Sequence, residues 1–394
     1  MKPDSHKALL VIALTSRPYV AAAKQAGFRV VAIDAFADKQ TNDLAERVII
    51  VDFDERGFDA AMMMAVINGL DATDYYGVVY GSGFEAQPEL LQDIANRIPL
   101  FGNDPTKIAA VKSPDNFFAA LTKLKILHPP LINARGTDNR VDGYLHKKYI
   151  RKLVGGSGGI HIQPINGYPP SADYYDQQYL EGKPVSLLFL AEEGSVEVVG
   201  FNEQWHNPTA FQPFRYGGAV SNIPLAADIK AQFVQAAQKL TQVFKLKGLN
   251  SLDAIVQNDV VYVLEINPRL SATFDLYPGK AVNILRHIQA CLSEMIQSGM
   301  TLSRMIDSYQ ATLAAISVND AHAHAIVYTP DALAISADFD WPEWATDTPL
   351  NMTYIEAQRP VCTVLATGEN SEAAKQLAQS RVKILLKSLT ENNK

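Results

Sequence analysis

Short apolar runs alternate with helix-like stretches over the first hundred residues. The segment at residues 8–14 is continuously apolar, and residues 28–36 and 77–81 follow the same pattern, which is typical of strands buried on both faces. Between the first two lies a helix-like stretch that ends at Gly27, a residue type favoured just after a helix. This order predicts a parallel α/β domain over residues 1–104.

The turn after the first strand excludes one common use of such a domain. Residues 15–18 read Thr-Ser-Arg-Pro and contain no glycine. A dinucleotide-binding unit needs glycines there, because the backbone must approach the pyrophosphate closely. We therefore exclude NAD binding. Gly81 ends the strand at 77–81, Gly83 and Glu85 follow it, and this edge of a parallel sheet is where ligands bind. The alternative is a simple turn that leads into a helix N-cap.

The most informative apolar run, residues 260–264, leads into alternating polar side chains. Glu265, Asn267 and Arg269 follow it, separated by Ile266 and Pro268. Residues two apart on a strand share a face, so an extended chain would point all three polar groups the same way and Ile266 into the core. Carboxylate and amide oxygens suit Mg²⁺, and a guanidinium suits a phosphate or carboxylate.

A second acid precedes this run. Asp253 ends a short apolar strand and lies twelve residues before Glu265. A hairpin with its turn near residues 258–259 would bring the two carboxylates opposite each other. Two carboxylates on one patch repel unless a positive group lies between them. The alternative is a solvated strand end with ordinary surface acids.

Residues 149–162 combine a strand pattern with a glycine-rich loop, Gly-Gly-Ser-Gly-Gly at 155–159. Glycines let backbone N–H groups converge on phosphate oxygens without interference from a Cβ. No Lys-Ser or Lys-Thr follows the last glycine, so the loop is not a Walker A motif. It lies about one hundred residues before the acid pair.

The Asp-x₁₁-Glu-Ile-Asn-Pro-Arg hairpin and the preceding Gly-Ser-Gly-Gly loop resemble the ATP-grasp superfamily. The resemblance implies α/β and α+β architecture: a pre-ATP-grasp domain with a parallel sheet at 1–104, a two-subdomain ATP-grasp fold at 105–300, and a small α+β domain at 301–394. It also implies an ADP-forming carboxylate–amine ligase that uses ATP and Mg²⁺ (or Mn²⁺) and proceeds through an acyl phosphate.

The resemblance also assigns roles to individual residues. The metal ligands would be Asp253, Glu265 and Asn267, and the catalytic residues Arg269, Lys152 and Arg215. The nucleotide would be bound by Lys112, Lys152, Gly155, Gly156, Ser157, Gly158, Gly159, Gln178 and Leu180.

Some of these assignments have alternatives. Lys147 or Lys148 could take the place of Lys152, and the family often has Glu where this chain has Gln177. That difference leaves the side-chain part of nucleotide recognition open. Arg215 lies in residues 206–224, which read as a long irregular loop, and a plain surface loop is equally consistent there. By the same resemblance, Gly83 and Glu85 would border the substrate cleft.

The phrases around residues 251–253, 264–277 and 214–219 are similar to a carboligase-like branch that includes the archaeal tyramine–glutamate ligase of methanofuran biosynthesis. This implies glutamate with tyrosine or tyramine as candidate substrates, in the synthesis of a methanofuran-type cofactor. The alternatives are a carboxylase or small-molecule kinase of the same fold, or a non-catalytic ATP-binding protein.

Composition narrows the class of protein. The 394 residues carry a net charge of −7, which argues against nucleic-acid binding. Two cysteines without metal spacing fit a reducing cytoplasm. We see no signal peptide and no apolar stretch long enough for a membrane. The expected partners are small carboxylate and amine substrates; oligomeric state stays open, with a homodimer common in the family.

Overall fold

The structure is a computed structural model that describes residues 6–132, 148–165, 171–292, 320–336, 338–350 and 353–391. Its N-terminal part alternates strands and helices, as the apolar pattern predicts. These elements are β1 (Ala8–Ala13), α1 (Arg17–Gln25), β2 (Arg29–Asp34), α2 (Lys39–Leu44), β3 (Arg47–Ile50), β4 (Phe53–Asp54), β5 (Gly57–Phe58), α3 (Ala60–Asn68), β6 (Tyr75–Tyr80), α4 (Pro88–Ala95) and β7 (Leu100–Phe101).

The N-terminal sheet is parallel, with strand order β3-β2-β1-β6-β7. The chain adds β2 and β3 on one side of β1, and β6 and β7 on the other. The switch in direction therefore lies between β1 and β6, and sheets of this kind bind ligands outside the carboxyl ends of such strands. The segments after β1, β2 and β6 all border the large cavity described below.

A four-stranded antiparallel sheet follows, with strand order β10-β9-β11-β8. Two helices precede it, and the hydroxyl of Ser113 accepts a hydrogen bond from the Asn116 N–H and so caps the second of them. The elements are α5 (Pro105–Lys112), α6 (Pro114–Lys123), β8 (Leu131–Ile132), β9 (Tyr149–Leu153), β10 (Gln163–Pro164) and β11 (Tyr174–Gln178).

The remaining strands form mainly one eight-stranded sheet, ordered β16-β15-β12-β13-β14-β17-β21-β19, and β18 pairs with β20. The elements are β12 (Lys183–Glu192), β13 (Ser195–His206), β14 (Tyr216–Ser221), α7 (Ala227–Phe244), β15 (Gly248–Gln257), β16 (Val260–Asn267), a 3₁₀ helix (Ala272–Leu276), α8 (Lys280–Leu292), β17 (Ala321–Tyr328), β18 (Leu333–Ala334), β19 (Ala345–Thr346), β20 (Tyr354–Ile355), β21 (Pro360–Gly368) and α9 (Ser371–Glu391).

The predicted fold class is confirmed, with one refinement at the C-terminus. β17 pairs with β14, so the C-terminal strands extend the sheet of the preceding domain. The predicted boundaries after residues 104 and 300 stay predictions. The sequence pattern also predicts a helix over residues 279–297 and a strand over 309–319; the end of that helix and the whole of that strand lie outside the described residues.

Residues 206–224 are more regular than the sequence pattern suggested. Residues 216–221 form β14, which pairs with β13 on one side and with β17 on the other. Residues 207–215 make an irregular connection between β13 and β14, and residues 222–224 follow β14 without regular structure. Two glycines in β14 lower its intrinsic strand propensity, but two neighbouring strands supply the pairing that holds it extended. One of those neighbours lies about a hundred residues away in sequence.

Both cysteines, Cys291 and Cys362, are buried and free. Across the described ranges, no helix combines the length and the apolar character that crossing a membrane requires.

Gly248 joins α7 to β15 at a crowded position. Its φ is +68°, and a Cβ there would overlap Nδ1 of the His287 ring. That nitrogen accepts a hydrogen bond from the Leu249 N–H at 2.8 Å, and Nε2 lies 2.9 Å from the Phe101 carbonyl oxygen. The imidazole thus connects α8 to β15 and β7, and only glycine leaves room for it.

We expect Gly248→Ala to lower the free energy of unfolding by about 3 kcal/mol or more, since it adds a steric overlap to an unfavourable backbone conformation. Gly194→Ala is the matched control, because Gly194 also has a positive φ, +78°, but nothing lies within 4 Å of its missing Cβ. We expect the control to cost only about 1–2 kcal/mol. Urea unfolding measures both, and equal losses would contradict the proposed role of His287.

Candidate active site

The hairpin of β15 and β16 has the predicted register. Asp253 pairs with Glu265, and residues 258–259 form the turn with φ values of +50° and +63°. A two-residue turn with both φ values positive matches the twist of antiparallel strands. The two acids are therefore cross-strand neighbours, and Ile266 points into the core with no exposed surface.

Asn267 and a lysine complete this patch. The Asn267 amide donates a hydrogen bond to Asp253 Oδ2 at 3.0 Å. Lys112, the last residue of α5, donates to Glu265 Oε2 at 2.9 Å and to Asn267 Oδ1 at 2.9 Å. The resemblance assigned Lys112 to the nucleotide; here it contacts two of the candidate metal ligands instead.

The two carboxylates have different proton affinities. Burial and the negative charge of Glu265 raise the pKa of Asp253 to about 7. Burial opposes ionisation of Glu265 as well, but Lys112 and Lys152 outweigh it and lower the pKa of this carboxyl. Glu265 also keeps 37% of its side chain exposed. Both carboxyl groups line the cavity, and Glu265 is the one with the lowered pKa.

Arg269 lies just beyond the end of β16 and is held by the N-terminal domain. Its Nε donates to Glu85 Oε1 at 2.7 Å, and its Nη2 lies 3.5 Å from Asn267 Oδ1. Glu85 also accepts hydrogen bonds from the N–H groups of Gly83 and Phe84. Burial raises the pKa of Glu85, but Arg269, Lys112 and the Gly83 N–H bring it down to about 2. Glu85 thus orients the guanidinium beside the acid patch.

The glycine-rich loop is shaped by contacts on both sides. Gly155, Gly158 and Gly159 have φ values of +73°, +68° and +73°. A Cβ at Gly155 would lie 2.5 Å from the Ala86 Cα, and one at Gly159 would overlap the Phe214 carbonyl oxygen. Nothing lies within 4 Å of a Cβ at Gly158. The middle of the loop therefore faces open space.

Lys152 lies near the end of β9, three residues before the first glycine of this loop. It is buried, and burial lowers the pKa of its ammonium despite the charges of Glu265 and Asp253. Lys148, one of the alternatives, is exposed and lies 3.7 Å from Glu181. The other, Lys147, lies outside the described residues. The buried position of Lys152 beside the glycine-rich loop favours this lysine for the predicted contact with phosphate.

One cavity of about 1470 Å³ brings these groups together. It lies between the carboxyl ends of the N-terminal sheet, the glycine-rich loop and the acid hairpin. Most predicted site residues line it: Lys152, Gly155, Ser157, Gly158, Gly159, Gln178, Leu180, Arg215, Asp253, Glu265, Asn267 and Arg269, with Gly83 and Glu85. Lys112 and Gly156 line a smaller neighbouring cavity of about 40 Å³.

Arg215 lines the large cavity, but its contacts are structural. Its guanidinium donates to the Asn207 and Gln358 carbonyl oxygens and stacks on the Tyr328 ring at 3.8 Å. It thereby fastens the segment at 207–215 to the C-terminal strands. A catalytic role for Arg215 stays a prediction.

Gln177 has no hydrogen-bond partner for either side-chain polar atom within the described residues, although it is completely buried. It lies on β11 opposite Ile150 and borders the large cavity. The family often has a glutamate at this position. The effect of glutamine in its place on nucleotide recognition stays open.

Sequence reasoning missed an ion-pair network, three members of which (Arg17, Asp275 and Asp347) line the same cavity. Arg17 donates to Asp347 and Asp275 at 2.5 Å each, and Lys280 also pairs with Asp275. These residues come from the N-terminal, central and C-terminal parts of the chain. The sequence offered one signal for this network. Arg17 lies in the glycine-free turn after the first strand, at the ligand-binding edge of the sheet.

His161 was also missed. Its Nδ1 lies 3.3 Å from the Ser157 carbonyl oxygen, and burial lowers its pKa to about 4. It packs under Gly156 and supports the loop as a neutral ring. In the described part of the chain, no group of three or more His, Cys, Asp or Glu side chains is placed to hold a metal. The candidate set has two carboxylates and a carboxamide.

Comparison with known proteins gives the same assignment for the centre of the chain. The profile of an ATP-grasp domain matches residues 116–273, which contain the glycine-rich loop and the acid hairpin. This part of the chain is therefore similar to an ATP-grasp domain. The predicted resemblance is therefore confirmed.

Two relatives come from Methanocaldococcus jannaschii. An uncharacterised protein is 24% identical over 283 residues, which cover 68% of this chain and 69% of that protein. A tyramine–L-glutamate ligase is 27% identical over 128 residues, 32% of this chain and 37% of the ligase. Their similarity agrees with the predicted class of ATP-grasp ligase.

Solved structures share the whole architecture. The L-amino acid ligase of Bacillus licheniformis is 13% identical with a TM-score of 0.63, covering 95% of this chain and 97% of its own. A second structure is the biotin carboxylase domain of the Hydrogenobacter thermophilus 2-oxoglutarate carboxylase, in complex with MgADP and bicarbonate. It is 10% identical with a TM-score of 0.68, covering 94% of this chain and 88% of its own. These similarities establish a common fold.

We expect Arg269→Met to lower the free energy of unfolding by about 3–5 kcal/mol, because it leaves the Glu85 carboxylate buried without its ion-pair partner. Adding Glu85→Gln should restore most of that stability. Urea unfolding of the wild type, the two single variants and the double variant gives the interaction energy between the two side chains. Additive losses would show that the two side chains do not depend on each other.

Proposed function

We propose that this protein is an ATP-dependent ligase that joins a carboxylate to an amine through an acyl phosphate. The observation that carries the proposal is that the acid hairpin and the glycine-rich loop line one cavity. Phosphoryl transfer needs such an arrangement, because its catalysis is mainly positioning and charge neutralisation.

The hairpin residues fit a divalent cation. Asp253, Glu265 and Asn267 offer oxygens on one patch, and Mg²⁺ binds through one or two carboxylates together with substrate phosphates. Lys112 already places a positive charge against two of these oxygens, so the patch favours cations. Mg²⁺ or Mn²⁺ held there would neutralise the charge on the phosphates.

The glycine-rich loop fits the phosphates themselves. The open space at Gly158 leaves room for an anion against the backbone, and Lys152 provides a buried positive charge at the start of the loop. Backbone groups near Gln178 and Leu180, which border the same cavity, would hold the adenine. ATP would then lie with its terminal phosphate toward the hairpin and Arg269.

The reaction has two steps. A carboxylate oxygen of the substrate attacks the γ-phosphorus, the bond to the β–γ bridging oxygen breaks, and ADP leaves. The amine nitrogen then attacks the acyl carbon, phosphate leaves with the former bond electrons, and the nitrogen loses a proton. The Arg269 guanidinium, oriented by Glu85, would hold the acyl phosphate in place for the second step.

The relatives suggest candidate substrates. Similarity to a tyramine–L-glutamate ligase makes L-glutamate with tyramine or tyrosine the first pair to test, with a methanofuran-type cofactor as the product's destination. The proposal includes a cytoplasmic location and is compatible with a homodimer. The fold shared with a carboxylase domain supports the second candidate, an ATP-dependent carboxylase.

Thermal unfolding with MgATP, with ATP and EDTA, and without ligand tests the nucleotide site first. A ligand present at about 100 times its Kd adds about 2.7 kcal/mol, so a rise that depends on metal is expected. ADP release with L-glutamate and tyramine, or with bicarbonate alone, then separates ligase from carboxylase. No change in stability at millimolar MgATP would refute the nucleotide site.

We expect Glu265→Gln to reduce ATP turnover by about 100-fold or more, because it removes a charge that acts during phosphoryl transfer. Turnover is measured as ADP release with the substrate pair found in the preceding screen. Glu197→Gln is the control, since Glu197 is an exposed partner of Arg286 outside the cavity. Near-normal turnover of the Glu265 variant would contradict the metal assignment.

A further inference from the structure

Lys112 contacts the same oxygen atoms that the proposed metal ion would need. Its Nζ lies 2.9 Å from Glu265 Oε2 and 2.9 Å from Asn267 Oδ1. The residue is buried at the end of α5, and α5 packs against β16, so the ammonium is held in this position. A Mg²⁺ ion bound to the same oxygens would lie about 2.1 Å from each, which brings it into conflict with the ammonium.

The charges around the hairpin explain why a cation is needed here. Asp253 and Glu265 are cross-strand neighbours, and two like charges at this separation destabilise a sheet. Lys152 is a second cation facing the patch, but no hydrogen bond joins it to either carboxylate among the described residues. Lys112 therefore supplies the direct neutralising contact.

On the basis of the function proposed above, we propose that Lys112 is an internal counter-ion that occupies the position of the divalent metal and leaves it when the nucleotide binds. Without nucleotide, its ammonium keeps the ligand oxygens of Glu265 and Asn267 in place. With nucleotide, the phosphates attract the ammonium and the metal takes the released oxygens.

The structure contains a second position for the ammonium. A cavity of about 40 Å³ lies beside Lys112 and is also bordered by Lys152, Gly155, Gly156 and His161. Its volume exceeds the roughly 10–15 Å³ that a cavity needs to hold one water molecule, so it has room for an ammonium group of similar size. Because it adjoins the glycine-rich loop, a lysine that turned into it would approach phosphates bound there.

This exchange couples metal and nucleotide. A divalent metal on its own must displace Lys112 and therefore binds weakly, whereas nucleotide removes the competitor. By linkage, metal must raise the affinity for nucleotide by the same factor. The coupling belongs to Lys112 and is separate from any contact between metal and phosphate.

The test is Mn²⁺ binding without nucleotide, followed by electron paramagnetic resonance, for the wild type and Lys112→Met. We expect the variant to bind Mn²⁺ about tenfold more tightly, a coupling within the usual range. Lys107→Met is the control on the same helix, since Lys107 pairs with Asp104 at 2.7 Å and borders neither cavity. It should match the wild type.

Two more variants separate the outcomes. Lys152→Met removes a nearby charge that does not contact the oxygens, and about threefold tighter binding or less is expected. If Lys152→Met tightened Mn²⁺ binding as much as Lys112→Met, the proposal would be overturned. Unchanged or weaker Mn²⁺ binding by Lys112→Met would also overturn it. Should Lys112→Met fail to fold, judged by circular dichroism, Lys112→Gln gives the same comparison.

Mn²⁺ binding in the presence of ADP distinguishes this proposal from the proposed function. Wild-type protein that binds neither Mn²⁺ nor ADP, separately or together, would refute the nucleotide site itself. Wild-type protein that binds Mn²⁺ with ADP, while Lys112→Met gains nothing with Mn²⁺ alone, would refute only the counter-ion. Support requires a gain in the variant without ADP and a smaller effect of ADP on its Mn²⁺ affinity.

Discussion

Two carboxylates placed opposite each other on a hairpin are the constraint on which the rest of the cavity depends. Asp253 and Glu265 repel, so their positions persist only where positive groups surround them. The fold provides these from separate elements, with Lys112 at the end of α5 and Lys152 at the end of β9. The first contacts the oxygens directly, and the second leads into the glycine-rich loop.

Buried ion pairs set the relative positions of the three parts of the chain. Glu85 of the N-terminal domain holds Arg269, and Arg17 holds Asp275 and Asp347. Because desolvation offsets most of the Coulomb attraction inside a protein, such pairs specify geometry more than they add stability. Here they join segments that follow strands of the N-terminal sheet to the segment that follows the acid hairpin, and the paired residues line the cavity.

Much of the site follows from local rules. The strand period of two and a two-residue turn are enough to place Asp253 opposite Glu265 and Ile266 in the core, as the structure confirms. Residues 206–224 were misjudged because local propensity there is weak. The two glycines of β14 disfavour a strand, and its pairing with β17 lies beyond the reach of any local pattern.

The sequence by itself determined the hairpin, the glycine-rich loop and the parallel N-terminal sheet, because each depends on residues close together in the chain. Only the tertiary structure decided that Lys112 contacts Glu265 and Asn267, 153 and 155 residues away, and that Glu85 orients Arg269. The same holds for Arg215, which fastens a loop to the C-terminal strands. The sequence gives the charge of each side chain, but tertiary packing determines which group that side chain contacts.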